Sequence, residues 1–163
     1  MHSLFKLTSA LLLGASAFAA HAATQSVTVQ YTLTVPTACT LAKAGTTIAK
    51  SLPVDSTPVN ETFSVTCNAD YTISANTKYP AGGVNTSYLR YTGPQGTTSL
   101  VYPISLSSPL RNVPVNNAAG TKVTAGLSAA PEIYTLTASA PALTLSSLLA
   151  VDYTDEVTIE IAY

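Results

Sequence analysis

Residues 26–35 read Ser26-Val27-Thr28-Val29-Gln30-Tyr31-Thr32-Leu33-Thr34-Val35, with apolar side chains at every odd position and polar ones between. A strict period of two fits a β-strand with one buried face. It does not fit a helix, whose apolar positions recur every three or four residues. The pattern returns at the other end of the chain, where residues 154–163 set Val157, Ile159, Ile161 and Tyr163 on one face. The two best-patterned strands of the sequence thus stand at opposite ends of it.

The segments between are shorter and follow the same rule. Residues 61–67 alternate with Cys67 on the apolar face, 68–70 make a polar turn, and 71–75 alternate again. This predicts a hairpin or one bent strand. Residues 76–86 read as loop, and 88–91 as a short strand entering the turn Gly93-Pro94-Gln95-Gly96. Residues 99–106 place Leu100, Tyr102, Ile104 and Leu106 together, and Pro103 marks that strand as an edge or a bulge. The stretch 107–131 predicts one short strand around 122–127, and 132–138 alternates less cleanly. Residues 143–151 suit either a strand or a short helix. No longer helical pattern occurs. Seven or so short strands bounded by turns make an all-β sandwich, one domain filling residues 23–163.

Residues 1–22 read as a secretory signal peptide, with a polar start (His2, Lys6), an apolar core around Leu11–Ala20 and the small-x-small site Ala20-His21-Ala22. Past residue 20 no apolar run approaches the roughly 20 residues of a spanning helix. Only 9% of the 163 residues are charged and the net charge is −1, which leaves no basic footprint for nucleic acid or an anionic membrane. Cleavage would remove both histidines, His2 and His21, and with them a Ser-His-Asp triad and most metal sites. No nucleophile elbow, P-loop or dinucleotide fingerprint is present. Asp152, Asp155, Glu156 and Glu160 read as the solvated outer face of the last strand, not as a catalytic carboxylate pair. An enzyme is not expected, nor a cofactor or metal. Two cysteines, Cys39 and Cys67, in an exported chain imply a disulfide. Closing a loop of about 29 residues contributes roughly 3–4 kcal/mol. Tyr88, Tyr91 and Tyr102 could line a sugar-binding face, although scattered strand tyrosines more often cap a core rim.

The order of these features resembles a family. A signal peptide is followed by the alternating segment Val27, Val29, Tyr31, Leu33, Val35. Next come Pro36-Thr37-Ala38-Cys39-Thr40-Leu41 and Phe63-Ser64-Val65-Thr66-Cys67 with its polar turn and Tyr71-Thr72-Ile73. The chain closes on Tyr153-Thr154-Asp155-Glu156-Val157 and the last strand. The whole is similar to pilin subunits of the bacterial chaperone–usher pathway, in the archaic branch with spore coat protein U-like domains. Val151 stands where family members often carry Gly.

The resemblance implies an incomplete immunoglobulin-like sandwich of six strands, lacking the seventh and open along the C-terminal strand. A periplasmic chaperone fills the groove first; the outer-membrane usher then exchanges its strand for the N-terminal segment of an identical or related pilin subunit. On this expectation residues 23–35 are the donor segment, with Val27, Val29, Tyr31, Leu33 and Val35 its docking side chains. Val157, Ile159, Ile161 and Tyr163 belong to the acceptor groove. The product is an extracellular pilus serving adhesion or biofilm formation. The alternative is a secreted carbohydrate-binding or adhesive sandwich that does not polymerise.

Overall fold

A computed structural model describes residues 25–126, 130–143, 146 and 148–163. The signal peptide expected at 1–22 lies outside the described residues, as do Leu127 of the strand expected around 122–127 and Thr144, Leu145 and Ser147 of the ambiguous stretch 143–151. The chain divides into two units, Met1–Thr34 and Val35–Tyr163.

In the first unit, residues 25–34 form neither strand nor helix, so the strand predicted for 26–35 is not formed within this single chain. An extended segment becomes a strand only when another edge takes up its N–H and C=O groups. Its apolar side chains are open to solvent: Val27, Tyr31 and Leu33 are about nine-tenths exposed, at 90%, 91% and 88%.

The second unit is all-β. Its strands are β1 (Cys39–Leu41), β2 (Val59–Cys67), β3 (Tyr71–Thr77), β4 (Thr86–Gly93), β5 (Gly96–Ser108), β6 (Arg111–Val113), β7 (Thr121–Val123), β8 (Glu132–Ala138) and β9 (Val157–Ala162). Six of them make one antiparallel sheet in the order β1-β2-β8-β5-β4, with β6 beside β5; the other three make a second sheet, β7-β3-β9. Alternation sends one face of each sheet inward. Phe63 and Val65 of β2, Tyr102, Ile104 and Leu106 of β5, and Tyr134 of β8 meet Tyr71, Ile73 and Ala75 of β3 in one buried cluster. The two sheets therefore close on a common core as a sandwich.

Three sequence expectations need correction. The segments 61–67 and 71–75 are not a hairpin. β2 pairs with β1 and β8, β3 with β7 and β9, and residues 68–70 carry the chain from one sheet to the other. Their apolar faces look at each other across the core instead of lying side by side. Nor is Pro103 on an edge. β5 is an interior strand that pairs with β4 through residues 96–103 and with β8 through 104–107. Pro103 stands one residue before pairing with β8 begins, its nitrogen on the side away from β4, so its missing N–H breaks no bond of either ladder. The stretch 107–131 holds two short strands, β6 and β7, where one was expected.

Loops are tied by specific side chains. Asn85 and Asn116 both hold positive φ, a region Asn tolerates better than most residues. Asn116 Oδ1 accepts from the N–H and hydroxyl of Thr77, and its Nδ2 donates to the Thr86 carbonyl; Asn85 Oδ1 accepts from the Val115 N–H. Gly120 combines φ +63° with close approach to β3, where a Cβ would stand 2.9 Å from the Ile73 carbonyl oxygen. Lys43 and Lys50 both bind the Glu61 carboxylate on β2, and these hydrogen bonds, Lys43 first, hold its carboxyl down at about 2.

Candidate functional site

Each sheet ends on a strand with one unused edge. Val-Thr-Ile-Glu-Ile-Ala makes β9 by alternation, and it pairs with β3 from Thr72 opposite Ala162 to Thr77 opposite Val157. Among the described residues β9 is the last strand of its sheet and no strand pairs with its other side, which makes that side a template for a further strand. The inward side chains of β3, from Tyr71 through Ile73 to Ala75, are buried. Those of β9, Val157, Ile159 and Ile161, face the same way but are only half-buried against the core, although Ile161 sits opposite Ile73 and Ile159 opposite Ala75. Within its sheet, and among the described residues, the row is flanked by β3 alone. Leu41 of β1, at the edge of the large sheet, and Leu52 are half-buried against the same core. Tyr163 lies beyond the end of β9 and is exposed.

The approach to β9 is anchored to the large sheet. Thr154 and Arg90 of β4 exchange two backbone hydrogen bonds of 2.9 Å. The next side chain, Asp155, accepts at Oδ2 from the Ser87 hydroxyl (2.6 Å) and the Tyr102 hydroxyl (2.8 Å). Tyr153 meets Tyr91 edge-on with ring centroids 6.2 Å apart. Burial, then the Asp155 carboxylate beside it, pushes the Tyr102 phenol well above its ordinary value. Asp155 therefore does not belong with Asp152, Glu156 and Glu160 on the solvated face. Those three are exposed, whereas Asp155 is half-buried on the side of Val157. The signal was present in its parity: 155, 157, 159 and 161 share one face of an extended chain.

A sugar-binding face of Tyr88, Tyr91 and Tyr102 is not assembled. Tyr102 is 3% exposed and engaged with Asp155. Tyr88 and Tyr91 are three residues apart on β4 and point to opposite faces. Tyr88 shares its face with Arg90, whose guanidinium lies over the rings of Tyr79 and Tyr88 at 4.7 and 5.6 Å.

Cys39 and Cys67 are bonded, as their pairing in the sequence implied. They sit directly opposite each other on β1 and β2 with Cα atoms 4.2 Å apart, close to the spacing of a non-hydrogen-bonded antiparallel pair. Among the described residues no group of His, Cys, Asp and Glu is placed to hold a metal ion, and no helix is long and apolar enough to cross a membrane. No protein-family model and no curated protein matches the chain.

Proposed function

We propose that the chain is a structural subunit of an exported surface fibre, a pilin of the chaperone–usher kind whose N-terminal segment completes the sandwich of the next subunit. The carrying observation is the half-buried row Val157, Ile159 and Ile161 on the free-edged strand β9. The exposed row Val27, Val29, Tyr31, Leu33 and Val35 in the same chain is its chemical complement. Both are apolar on alternate residues, and each lacks what the other offers. An added strand would supply backbone hydrogen bonds along the edge and side chains for the open flank. Five docked apolar side chains at about 1.5–3 kcal/mol each give roughly 8–15 kcal/mol gross.

Because donor and acceptor are different surfaces, the contact is head-to-tail and does not close, so it builds a filament. The completed sandwich would be immunoglobulin-like. Until another subunit arrives, the exposed edge is an aggregation hazard, which calls for a periplasmic chaperone to cover it and an outer-membrane usher to exchange the cover for a subunit. The anchored Asp155 suits this role, since it holds the lead into β9 while among the described residues no strand pairs with the far edge.

The test is expression of the full chain with a cognate chaperone and usher, followed by an unheated denaturing gel of the surface fraction. The expected result is a heat-sensitive ladder that is lost in Val29→Asp and in Ile159→Asp; the two variants mixed form a heat-sensitive dimer and nothing longer, because only the intact donor of one and the intact groove of the other can join. A monomer band unaffected by either substitution would instead favour a self-complete adhesive sandwich.

A further inference from the structure

Asn68, the first residue after β2, grips the short stretch between the N-terminal segment and β1. Its N–H donates to the Ala38 carbonyl (3.1 Å), its Oδ1 accepts from the Ala38 N–H (2.6 Å), and its Nδ2 donates to the Pro36 carbonyl (2.9 Å). Next to this grip the Cys39–Cys67 disulfide crosses the same pair of strands. A side-chain amide carries a donor and an acceptor in one plane, as a peptide group does. The Asn68 side chain thus adds a further rung to the β1–β2 ladder after the main chain of β2 has turned away toward β3. Aspartate could not supply the donor, and serine lacks the reach of a planar amide.

We propose that Asn68 is a positioning residue for strand donation, holding residues 36–38 so that the donor segment starts from a fixed root. The proposal rests on the strand-exchange reading above. Val35, the last docking position, is one residue before Pro36, whose ring already restricts its own φ. The clamp orders residues 36–38 before docking, so their backbone freedom is not lost at the docking step. It also leaves no loose linker. Three residues span at most about 11 Å, so a subunit whose segment is docked in a neighbour is held close to that neighbour.

The test uses the mature full chain with its disulfide intact, as wild type, Asn68→Ala and Asn68→Asp. Two quantities are measured: affinity for a synthetic peptide of residues 25–36, which reads the acceptor groove alone, and the rate of polymerisation, which needs the chain's own donor segment. Asn68→Ala is expected to bind the peptide as wild type does and to polymerise roughly tenfold more slowly, the effect of two lost hydrogen bonds of ordinary net strength. Asn68→Asp, which keeps the acceptor for Ala38, is expected to fall between. Equal polymerisation by Asn68→Ala overturns the proposal. So does a loss of peptide affinity that matches the loss of polymerisation, since Asn68 would then support the acceptor domain only. A wild-type chain that neither binds the peptide nor polymerises overturns the strand-exchange reading itself, and the role of Asn68 with it.

Discussion

The Tyr102 hydroxyl donates to Oδ2 of Asp155 at 2.8 Å, joining the middle of β5 to the residue two places before β9. The bond ties the C-terminal strand to the opposite sheet at its start, while among the described residues no strand pairs with its outer edge. Tyr102→Phe removes the donor and leaves the carboxylate with Ser87 alone. A hydrogen bond to a charged acceptor contributes about 1.5–3 kcal/mol, so urea unfolding of the disulfide-intact protein should show a loss of that size. Asp155→Ala should cost at least as much. The double variant should cost less than the sum of the two, because both changes break the same bond.

Alkaline pH should weaken the fold. Burial pushes the phenols of Tyr71, Tyr102 and Tyr134 above their ordinary value; Asp155 adds to this at Tyr102, and the Tyr71 hydroxyl at Tyr134. A group whose folded value is raised contributes stability that is fully present below its unfolded value, about 10 for tyrosine, and lost as pH rises toward the folded value. Above about pH 10 each such tyrosine should steepen the loss by about 1.4 kcal/mol per pH unit. Tyr134→Phe, measured by chemical unfolding across that range, should flatten the slope.

Acid should act through Glu132. Burial pushes its carboxyl up, but the Ser108 hydroxyl and the Arg111 guanidinium together outweigh burial and hold it below its ordinary value. A lowered carboxyl contributes stability above the ordinary range, about 4.3, and that stability is lost as pH falls through the folded value. Glu132→Gln should therefore remove part of the acid sensitivity below about pH 4 and lower stability at neutral pH, read from unfolding curves at the two pH values.

Alternation marks which face of a segment turns inward, and for β2 and β9 that much was legible; in β8 the pattern through Ile133 and Leu136 is not one face, and the structure buries Tyr134 and leaves Ile133 57% exposed. It does not say which strand is the neighbour. Residues 61–67 and 71–75 carry the same pattern whether they lie side by side or face to face, and the structure puts them face to face. Pro103 marks an edge or a bulge in a segment read alone; β5 is interior in the sheet order, and its pairing with β8, on the side away from β4, begins only at Ile104. Charge groups Asp155 with its acidic neighbours, but its position two residues before Val157 sets it on the inner face. The donor and acceptor rows were both readable as amphipathic strands. That one stays unpaired and the other is left half-covered depends on the sheet order, which no single segment encodes.

The disulfide should stabilise the domain by roughly 3–4 kcal/mol, since it closes a loop with a sequence separation of 28 between two strands already in register. Cys39→Ser with Cys67→Ser should lower the unfolding free energy by about that amount. The larger relative effect should fall on β1, a strand of three residues at the sheet edge, where amide exchange should rise first.

Amide hydrogen exchange across residues 26–35, measured on the mature chain as monomers are converted to polymers, tests the central claim most directly. The account predicts exchange without protection in the monomer fraction and strong protection on alternate amides once chains associate, lost again in Ile159→Asp. Full protection of the same residues in a dilute monomer would contradict it, because the segment would then be completing its own fold.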